Sequence, residues 1–216
     1  MKKILITGAG GIGGVNFVRS LKIFKDKFFL IGLDFNKYYL EFPDVDIRVN
    51  SPRHSDPNFI KLINNLIEKH KIDFLHPHPS SEALVVSQNF DSIKTKTLLP
   101  KPNVILTDKL KTQQILSNYN INVAKTKTFE NMNSIQTSFE ELGGGPLWIR
   151  AKSGAGGNLS LLCNEPKEVE YWMKLWIMQG KAKIDDFLLQ QFLPGRNIAW
   201  DSFWYDGKLI ASFTRE

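Results

Sequence analysis

Two glycine clusters and a handful of cations mark the places where this sequence could do chemistry. In PLWIRAKSGAGGNLSLL (146–162) a basic residue, Arg150, stands in the middle of an apolar run. Lys152 follows it, and then the loop Ser153-Gly154-Ala155-Gly156-Gly157-Asn158. A hairpin loop of this composition can fold its amides over a polyphosphate while a guanidinium and an ammonium neutralise the oxygens. It lacks the GxxxxGK[ST] spacing of the P-loop. A merely flexible hairpin is the plain alternative, and it leaves the charge inside PLWIRA without a reason.

The other cluster opens the chain in ILITGAGGIGGVNFVRSLK (4–22). Gly8, Gly10 and Gly13 satisfy GxGxxG between an apolar run and an amphipathic one, and Asp34 follows where a ribose-binding acid would stand. Thr7, Gly8, Gly11 and Gly14 also give TGxxGxxG, which resembles the fingerprint of the extended short-chain dehydrogenases and epimerases. Hydride chemistry of that kind needs Tyr and Lys in the pattern YxxxK, so that the Lys lowers the phenol pKa. None of Tyr38, Tyr39, Tyr119, Tyr171 or Tyr205 has a lysine four residues on. A tight first βα turn in a wound sheet favours glycine with or without a nucleotide, so the turn is open to both readings.

Weaker signals are His76 and His78 in HPHPS, at a strand end where ligands of open α/β sheets gather; with no third ligand nearby they default to turn structure. Cys163 is the one cysteine and sits in LSLLC, which reads as a buried apolar site. Trp172 and Trp176 form a helical stripe of the kind that packs in a core, and Trp200 and Trp204 alternate along a strand with one face expected against a core.

The elements that must position these groups follow from periodicity. Strands over 3–7, 28–34, 44–50 and 73–79 alternate with helices after the first glycines, over 59–72 and over 80–90, the last with serines suited to its N-cap. That alternation predicts a parallel, doubly wound sheet. Prolines in LLPKPN (98–103) break the pattern and place a boundary, giving domains 1–102 and 103–216. In the second, a helix starts at a cap, Thr107 or Asp108, and runs to about Tyr119. VAKTKTF is then a strand, SIQTSFEEL a helix, 143–164 two strands joined by the glycine loop, and EPKEVEYWMKLWIMQGKAK a helix. DFLLQQFLPG is a strand, followed by a hairpin turning at Asp206-Gly207.

The 216 residues carry 28 Lys and Arg against 22 Asp and Glu, a formal +6, with the charges scattered. A solvated surface is expected rather than a nucleic-acid face. No apolar run approaches the ~20 residues of a membrane span, and the start of the chain is unlike a signal peptide. A cytoplasmic protein, without nucleic-acid or membrane partners, is expected.

In their order, five segments resemble the ATP-grasp enzymes, in particular the branch of the carbamoyl-phosphate synthetase large subunit and the carboxylate-amine ligases. ILITGAGG is similar to the N-terminal pre-ATP-grasp domain, and IDFLHPHPSSEALVV to its later strand, with Glu82 where an acid is usual. LTDKLKTQQILSNYNINVAKT resembles the "DK…L…GI.VP.T" entry, with Lys109 as the first phosphate-contacting basic residue. WIRAKSGAGG resembles the strand and flap in which Arg150 takes the second such position. LLQQFLPGRNIAWDSFWYDGKLI is similar to the hinge strand that holds adenine, with Gln191, Phe192 and Leu193 facing the base. The resemblance implies a Rossmann-like parallel-sheet pre-ATP-grasp domain followed by an incomplete α+β ATP-grasp domain, with a flap subdomain over about 120–188 and a second subdomain from about 189.

It further implies ATP and Mg²⁺ as cofactors, and an ATP-dependent ligase that activates a small-molecule carboxylate as an acylphosphate for attack by an amine. Arg150 is the implied catalytic residue. Lys109, Arg150, Lys152, Gly154, Ala155, Gly156, Gly157, Gln191, Phe192, Leu193 and Asn197 are the implied nucleotide-binding residues. Gln191 stands where Glu is common, Asn197 where an acid meets the ribose, and Leu159 replaces a glycine. The family's metal-holding acids come from further along than Glu216, so none is assigned here, and a truncated chain, inactive by itself, is expected. Two other functions stay open: an NAD(P)-dependent oxidoreductase or epimerase, and a non-catalytic nucleotide-binding module. Self-association into a homo-oligomer is also left open.

Overall fold

The apolar run at the start of the chain forms β1 (Lys2–Thr7), in a computed structural model that describes residues 1–24, 27–105, 108–154, 157 and 159–216. The chain divides into two compact units, Met1–Thr107 and Asp108–Glu216.

In the first unit β1 is followed by α1 (Ile12–Lys22), β2 (Phe28–Asp34), β3 (Ile47–Asn50), α2 (Asn58–His70), β4 (Phe74–Pro77), α3 (Ser80–Gln88) and β5 (Lys96–Thr97). The strands pair in the order β3-β2-β1-β4-β5. Every neighbouring pair is parallel. This is the wound sheet that the alternation of elements predicts.

Side chains of β1 alternate between two cores. Leu5 packs with Ile31, Leu33 and the α2 face of Phe59, Ile63 and Leu66, while Ile4 and Ile6 pack with Leu30 and with Val18 of α1. Burying each such aliphatic side chain stabilises the unit by about 2 kcal/mol before chain entropy is counted. The strand order reverses between β1 and β4, so the Thr7 and Pro77 ends lie at the switch point of the sheet.

The second unit contains α4 (Lys109–Asn118), β6 (Thr126–Thr128), α5 (Ile135–Glu141), β7 (Leu147–Ala151), β8 (Leu161–Cys163), α6 (Pro166–Met178) and β9 (Phe187–Gln191). The strands form an antiparallel sheet in the order β6-β9-β7-β8. One face of it, with Leu147, Ile149, Phe187 and Leu189, packs on Ile135 and Phe139 of α5 and on Val169 and Met173 of α6. Trp172 and Trp176 join that core at its edge, as their helical spacing predicts. Pro166 opens α6, where its missing N–H leaves no bond unmade. Cys163 is fully buried, and burial pushes its thiol up to about 11, which keeps it inert.

The last two strands, β10 (Ala199–Tyr205) and β11 (Lys208–Arg215), pair only with each other. Asp206 and Gly207 turn the hairpin with φ of +48° and +71°, the left-handed pair that matches strand twist.

Some sequence expectations are corrected here. Trp200 and Trp204 are 55% and 49% exposed rather than packed on a core, because a two-stranded ribbon has no layer against either face. The serines of α3 are its first helical residues; Pro79 holds the N-cap position without a side-chain bond. The strand expected over 44–50 begins at Ile47; just before it Asp46 holds the edge of β2 through its side chain, Oδ2 accepting the Leu30 N–H at 2.7 Å. Among the described residues no helix is long and apolar enough to cross a membrane.

Candidate functional site

Alternation along β7 sends Leu147, Ile149 and Ala151 into the core of the second unit and leaves Trp148 and Arg150 on the opposite face. Arg150 stands across from Leu188 of β9 in register. Its guanidinium reaches two pairs further along on the same face, where Nη1 donates to Oε1 of Gln190 at 2.9 Å. The other end of that amide, Nε2, donates to Thr126 Oγ1 on β6 at 3.2 Å. Three adjacent strands thus supply one polar chain, and its only charge is the half-buried Arg150. None of the ion pairs among the described residues involves Arg150. A guanidinium held by a neutral amide keeps its charge for an anionic ligand.

The start of α4 is stitched to the end of β7. Asp108 caps the helix, its side chain accepting the Lys111 N–H, and it bridges Ser153 in antiparallel fashion. The Lys109 N–H donates to the Lys152 carbonyl at 2.8 Å, and the Lys152 N–H to the Asp186 carbonyl at 2.7 Å. The Lys109 side chain turns to the glycine loop, where Nζ donates to the Gly154 carbonyl at 2.8 Å. Burial, and then the charge of Arg150, hold the Lys109 ammonium below its ordinary pKa, with Asp108 offsetting part of that. The Lys152 ammonium lies 4.0 Å from an Asp108 oxygen. The start of α4, with Lys109 and the acid Asp108, is therefore brought beside the end of β7, with Arg150, Lys152 and Gly154.

The two described glycines of the loop stand in open space. Gly154 and Gly157 adopt φ of +93° and +71°, and a Cβ on either would meet nothing within 4 Å. Backbone bared in this way can approach a phosphate. Ala155 and Gly156, together with Asn158 and the alternative cap Thr107, lie outside the described residues.

Gln191 ends β9 with its N–H committed to the Lys125 carbonyl at 2.8 Å. Phe192 and Leu193 then leave the sheet, Leu193 well exposed. Asn197 is exposed beyond them. Gln190 and Thr126 were not anticipated; the signal for Gln190 was a glutamine beside apolar residues in FLLQQ, one strand from a half-buried cation.

The chain packs closely on several of the N-terminal glycines, and a cavity of about 510 Å³ lies beside Gly10, Gly11 and Tyr39. Gly8 has φ of +59°, and a Cβ there would fall 2.2 Å from Pro79 Cγ. One on Gly10 would fall 2.5 Å from Tyr39, and one on Gly13 2.0 Å from His78 Nε2. Asp34 is buried and closes the same turn, accepting the Gly10 N–H at 3.1 Å and the Asn36 N–H at 2.9 Å. Gly8, Gly10, Gly13 and Asp34 thus each meet a neighbour inside the fold, while Gly11 is left open.

Behind the turn lies Glu82, 6% exposed, with Oε2 unpartnered. Burial pushes its carboxyl up to about 7; the nearby Thr7 hydroxyl, short of hydrogen-bond geometry, pulls back a part, and the Asp34 charge adds to the rise. His76 stacks on Phe17 at 3.9 Å. Burial, followed by the charge of His78, lowers it to about 4. Among the described residues no group of three or more His, Cys, Asp or Glu could hold a metal ion.

No family model matches the chain, and no curated protein does. Solved structures do. The chain is similar to N5-carboxyaminoimidazole ribonucleotide synthetase from Thermotoga maritima at 19% identity and a TM-score of 0.61, with 93% of this chain and 48% of that chain covered. It is similar to N5-carboxyaminoimidazole synthetase from Staphylococcus aureus complexed with ADP at 18% and 0.65, with 92% and 49% covered. To L-amino acid ligase from Bacillus licheniformis the values are 14% and 0.66, with 97% and 48% covered. The chain spans about half the length of these proteins. Their shared architecture is that of ATP-grasp ligases, and this chain, a Rossmann-like parallel sheet followed by part of an α+β grasp, has the ATP-grasp fold.

Proposed function

We propose that the chain is the nucleotide-binding portion of an ATP-dependent carboxylate-amine ligase. One observation carries the reading: Lys109 at the start of α4 meets Arg150 and Lys152 at the end of β7, beside the glycine loop, and among the described residues the one hydrogen-bond partner of the Arg150 guanidinium is neutral. A triphosphate is the ligand whose charge such a cluster offsets.

In the reaction proposed, the γ-phosphoryl group of ATP passes to a carboxylate oxygen, the new P–O bond forming as the bond to the ADP oxygen breaks. The amine nitrogen then bonds to the acyl carbon, phosphate leaves with the C–O electron pair, and the nitrogen gives up a proton. Arg150 and Lys109 would hold the phosphoryl oxygens in line, and their charges offset what accumulates during transfer. Lys152, Gly154 and Gly157, with Ala155 and Gly156 between them, would fold over the phosphates. Gln191, Phe192 and Leu193 would meet the base, and Asn197 the ribose. Mg²⁺ would supply further charge neutralisation, and no residue of this chain is assigned to it. The acid and amine are small molecules, and a cytoplasmic setting belongs to the same proposal.

The test is a thermal shift of the 216-residue chain with Mg-ATP and, separately, with NADH. Stabilisation by Mg-ATP alone supports the reading. Stabilisation by NADH alone overturns it in favour of the N-terminal turn.

A further inference from the structure

Ile12, Val15, Asn16 and Arg19 share one face of α1, since residues three, four and seven apart recur on one side of a helix. Gly13 and Phe17, on the next face round, meet His78 and His76 at the end of β4 instead. The first face borders the cavity of about 510 Å³ beside the glycine turn, and the other side of that cavity is formed by Tyr39 and Phe42, in the connection from β2 to β3.

The aromatic side is built in place. Gly10 has no Cβ, so the Tyr39 backbone comes up to the turn, where a Cβ would fall 2.5 Å from the Tyr39 carbonyl oxygen. Leu40 is buried, and Arg48 of β3 ties the segment down, Nε donating to the Leu40 carbonyl at 2.6 Å and Nη2 to the Pro43 carbonyl at 3.2 Å. The Tyr39 and Phe42 rings stand 6.3 Å apart and tilted by 49°, yet they are 47% and 66% exposed, and Ile12 is 86% exposed. Three large apolar side chains held in water around one cavity are a contiguous patch rather than scattered exposure, and such patches mark ligand surfaces.

Charge at the cavity has one sign. Neither the Asn16 amide nor the Arg19 guanidinium has a hydrogen bond or ion pair among the described residues. The acids nearest the next turn of α1, Asp44 and Asp46, lie 3.8 and 3.9 Å from the Lys22 ammonium. Glu41 is exposed and outside the lining, which contains no carboxylate. The first turn of α1 carries no acid and no side-chain cap, so its backbone N–H groups add to the positive potential.

We propose that this cavity binds a planar aromatic carboxylate, its ring seated between Ile12 and Val15 on one side and Tyr39 and Phe42 on the other, its carboxylate at Asn16 and Arg19. Rings at an angle to one another receive a flat aromatic body edge-to-face or offset. An amide and a guanidinium one helical turn apart offer donors to both carboxylate oxygens. The site lies within the first unit and shares no residue with the cation cluster of the second, so it is independent of the nucleotide reading.

The experiment records ¹⁵N spectra of the full 216-residue chain during titration with 2-naphthoate, with 2-naphthylmethylamine as the cationic control and 2-naphthamide as the neutral one. Amides over 10–19 and 39–42 should shift saturably with naphthoate, with a dissociation constant on the order of 1 mM for a ligand of about thirteen heavy atoms. Arg19→Gln, at an exposed helical position, should weaken naphthoate about threefold and leave naphthamide unchanged, the size expected of an exposed charge pair. Phe42→Ala, also at an exposed position, should weaken both about fivefold. No saturable shift in those amides, an equal response to the amine, or an Arg19→Gln variant that binds naphthoate as the wild type does overturns the proposal. Shifts confined to the second unit overturn it as well, since they give the anion to the cation cluster there. Neither Mg-ATP nor NADH is present, so a failure here is distinct from a failure of the thermal-shift test.

Discussion

Arg150 Nη1 donates to Gln190 Oε1 at 2.9 Å across two neighbouring strands of the second unit. Glutamine orients the guanidinium without neutralising it, and that distinction can be tested by one atom. Gln190→Glu keeps the shape and adds a charge, so the fork of Arg150 would pair with a carboxylate in a half-buried setting. Affinity for Mg-ATP should fall about tenfold by calorimetry, with no loss of thermal stability. Unchanged affinity would show that the Arg150 charge is not what the nucleotide uses.

Lys109 ties the loop to the helix start through the Gly154 carbonyl. Lys109→Met keeps the aliphatic stem and removes the donor. Amide exchange over 152–154 should speed up about tenfold, since a local opening loses a charge-assisted bond of about 1.5 kcal/mol. Exchange in β7 should be unaffected.

Stability against pH has two opposed contributions in the first unit. Glu82 holds its proton up to about 7 when folded, against 4.5 ordinarily. Its contribution is present in full below pH 4.5 and is lost as the pH rises towards 7. His76 is lowered from 6.5 to about 4, so its contribution is present above pH 6.5 and is lost as the pH falls towards 4. Each changes stability by about 1.4 kcal/mol per pH unit within its window, with opposite sign, so the two largely cancel between pH 4.5 and 6.5. Denaturant titrations should show Glu82→Gln gaining on the wild type by about 3 kcal/mol between pH 4.5 and 7 and no further above it. His76→Gln should gain on the wild type as the pH falls from 6.5 to 4. A pH-independent difference for either variant would contradict the assignment.

The two glycine clusters should respond differently to alanine. A Cβ on Gly14 would lie 2.4 Å from the Gly8 carbonyl, a backbone clash that only a shift of the turn relieves. Gly14→Ala should cost about 3 kcal/mol, towards the upper end of ordinary substitutions. Gly13→Ala meets the exposed His78 side chain instead, and pairing it with His78→Ala should recover most of the loss. Gly157→Ala meets nothing, so its φ of +71° sets a cost of about 1 kcal/mol. Chemical denaturation of the single and double variants measures the order.

Much of the fold was legible because its signals are local. The β-branched run of β1, the glycine that must turn at Gly8, the amphipathic α2 and the Asp206-Gly207 turn each follow from neighbours in sequence. Arg150 and Lys109 were legible as a cation inside an apolar strand and as a lysine at a helix start. Gln190 and Thr126 were not, since their part depends on strand order: β9 and β6 lie beside β7 only once the sheet has formed. The packing of Tyr39, His78 and Pro79 onto the first glycines was hidden for the same reason, as it joins the ends of β1, β2 and β4. The exposed faces of Trp200 and Trp204 were misread because alternation along a strand tells which residues share a face and not whether another layer covers it.

The central claim is that the cation cluster of the second unit binds a triphosphate. Isothermal titration of the 216-residue chain with Mg-ATP, alongside Arg150→Ala, tests it most directly. Saturable binding by the chain, lost or weakened at least about tenfold in an Arg150→Ala variant of unchanged thermal stability, is the expected result. Equal affinity in the two proteins, or no heat of binding from a folded wild-type chain, would contradict it.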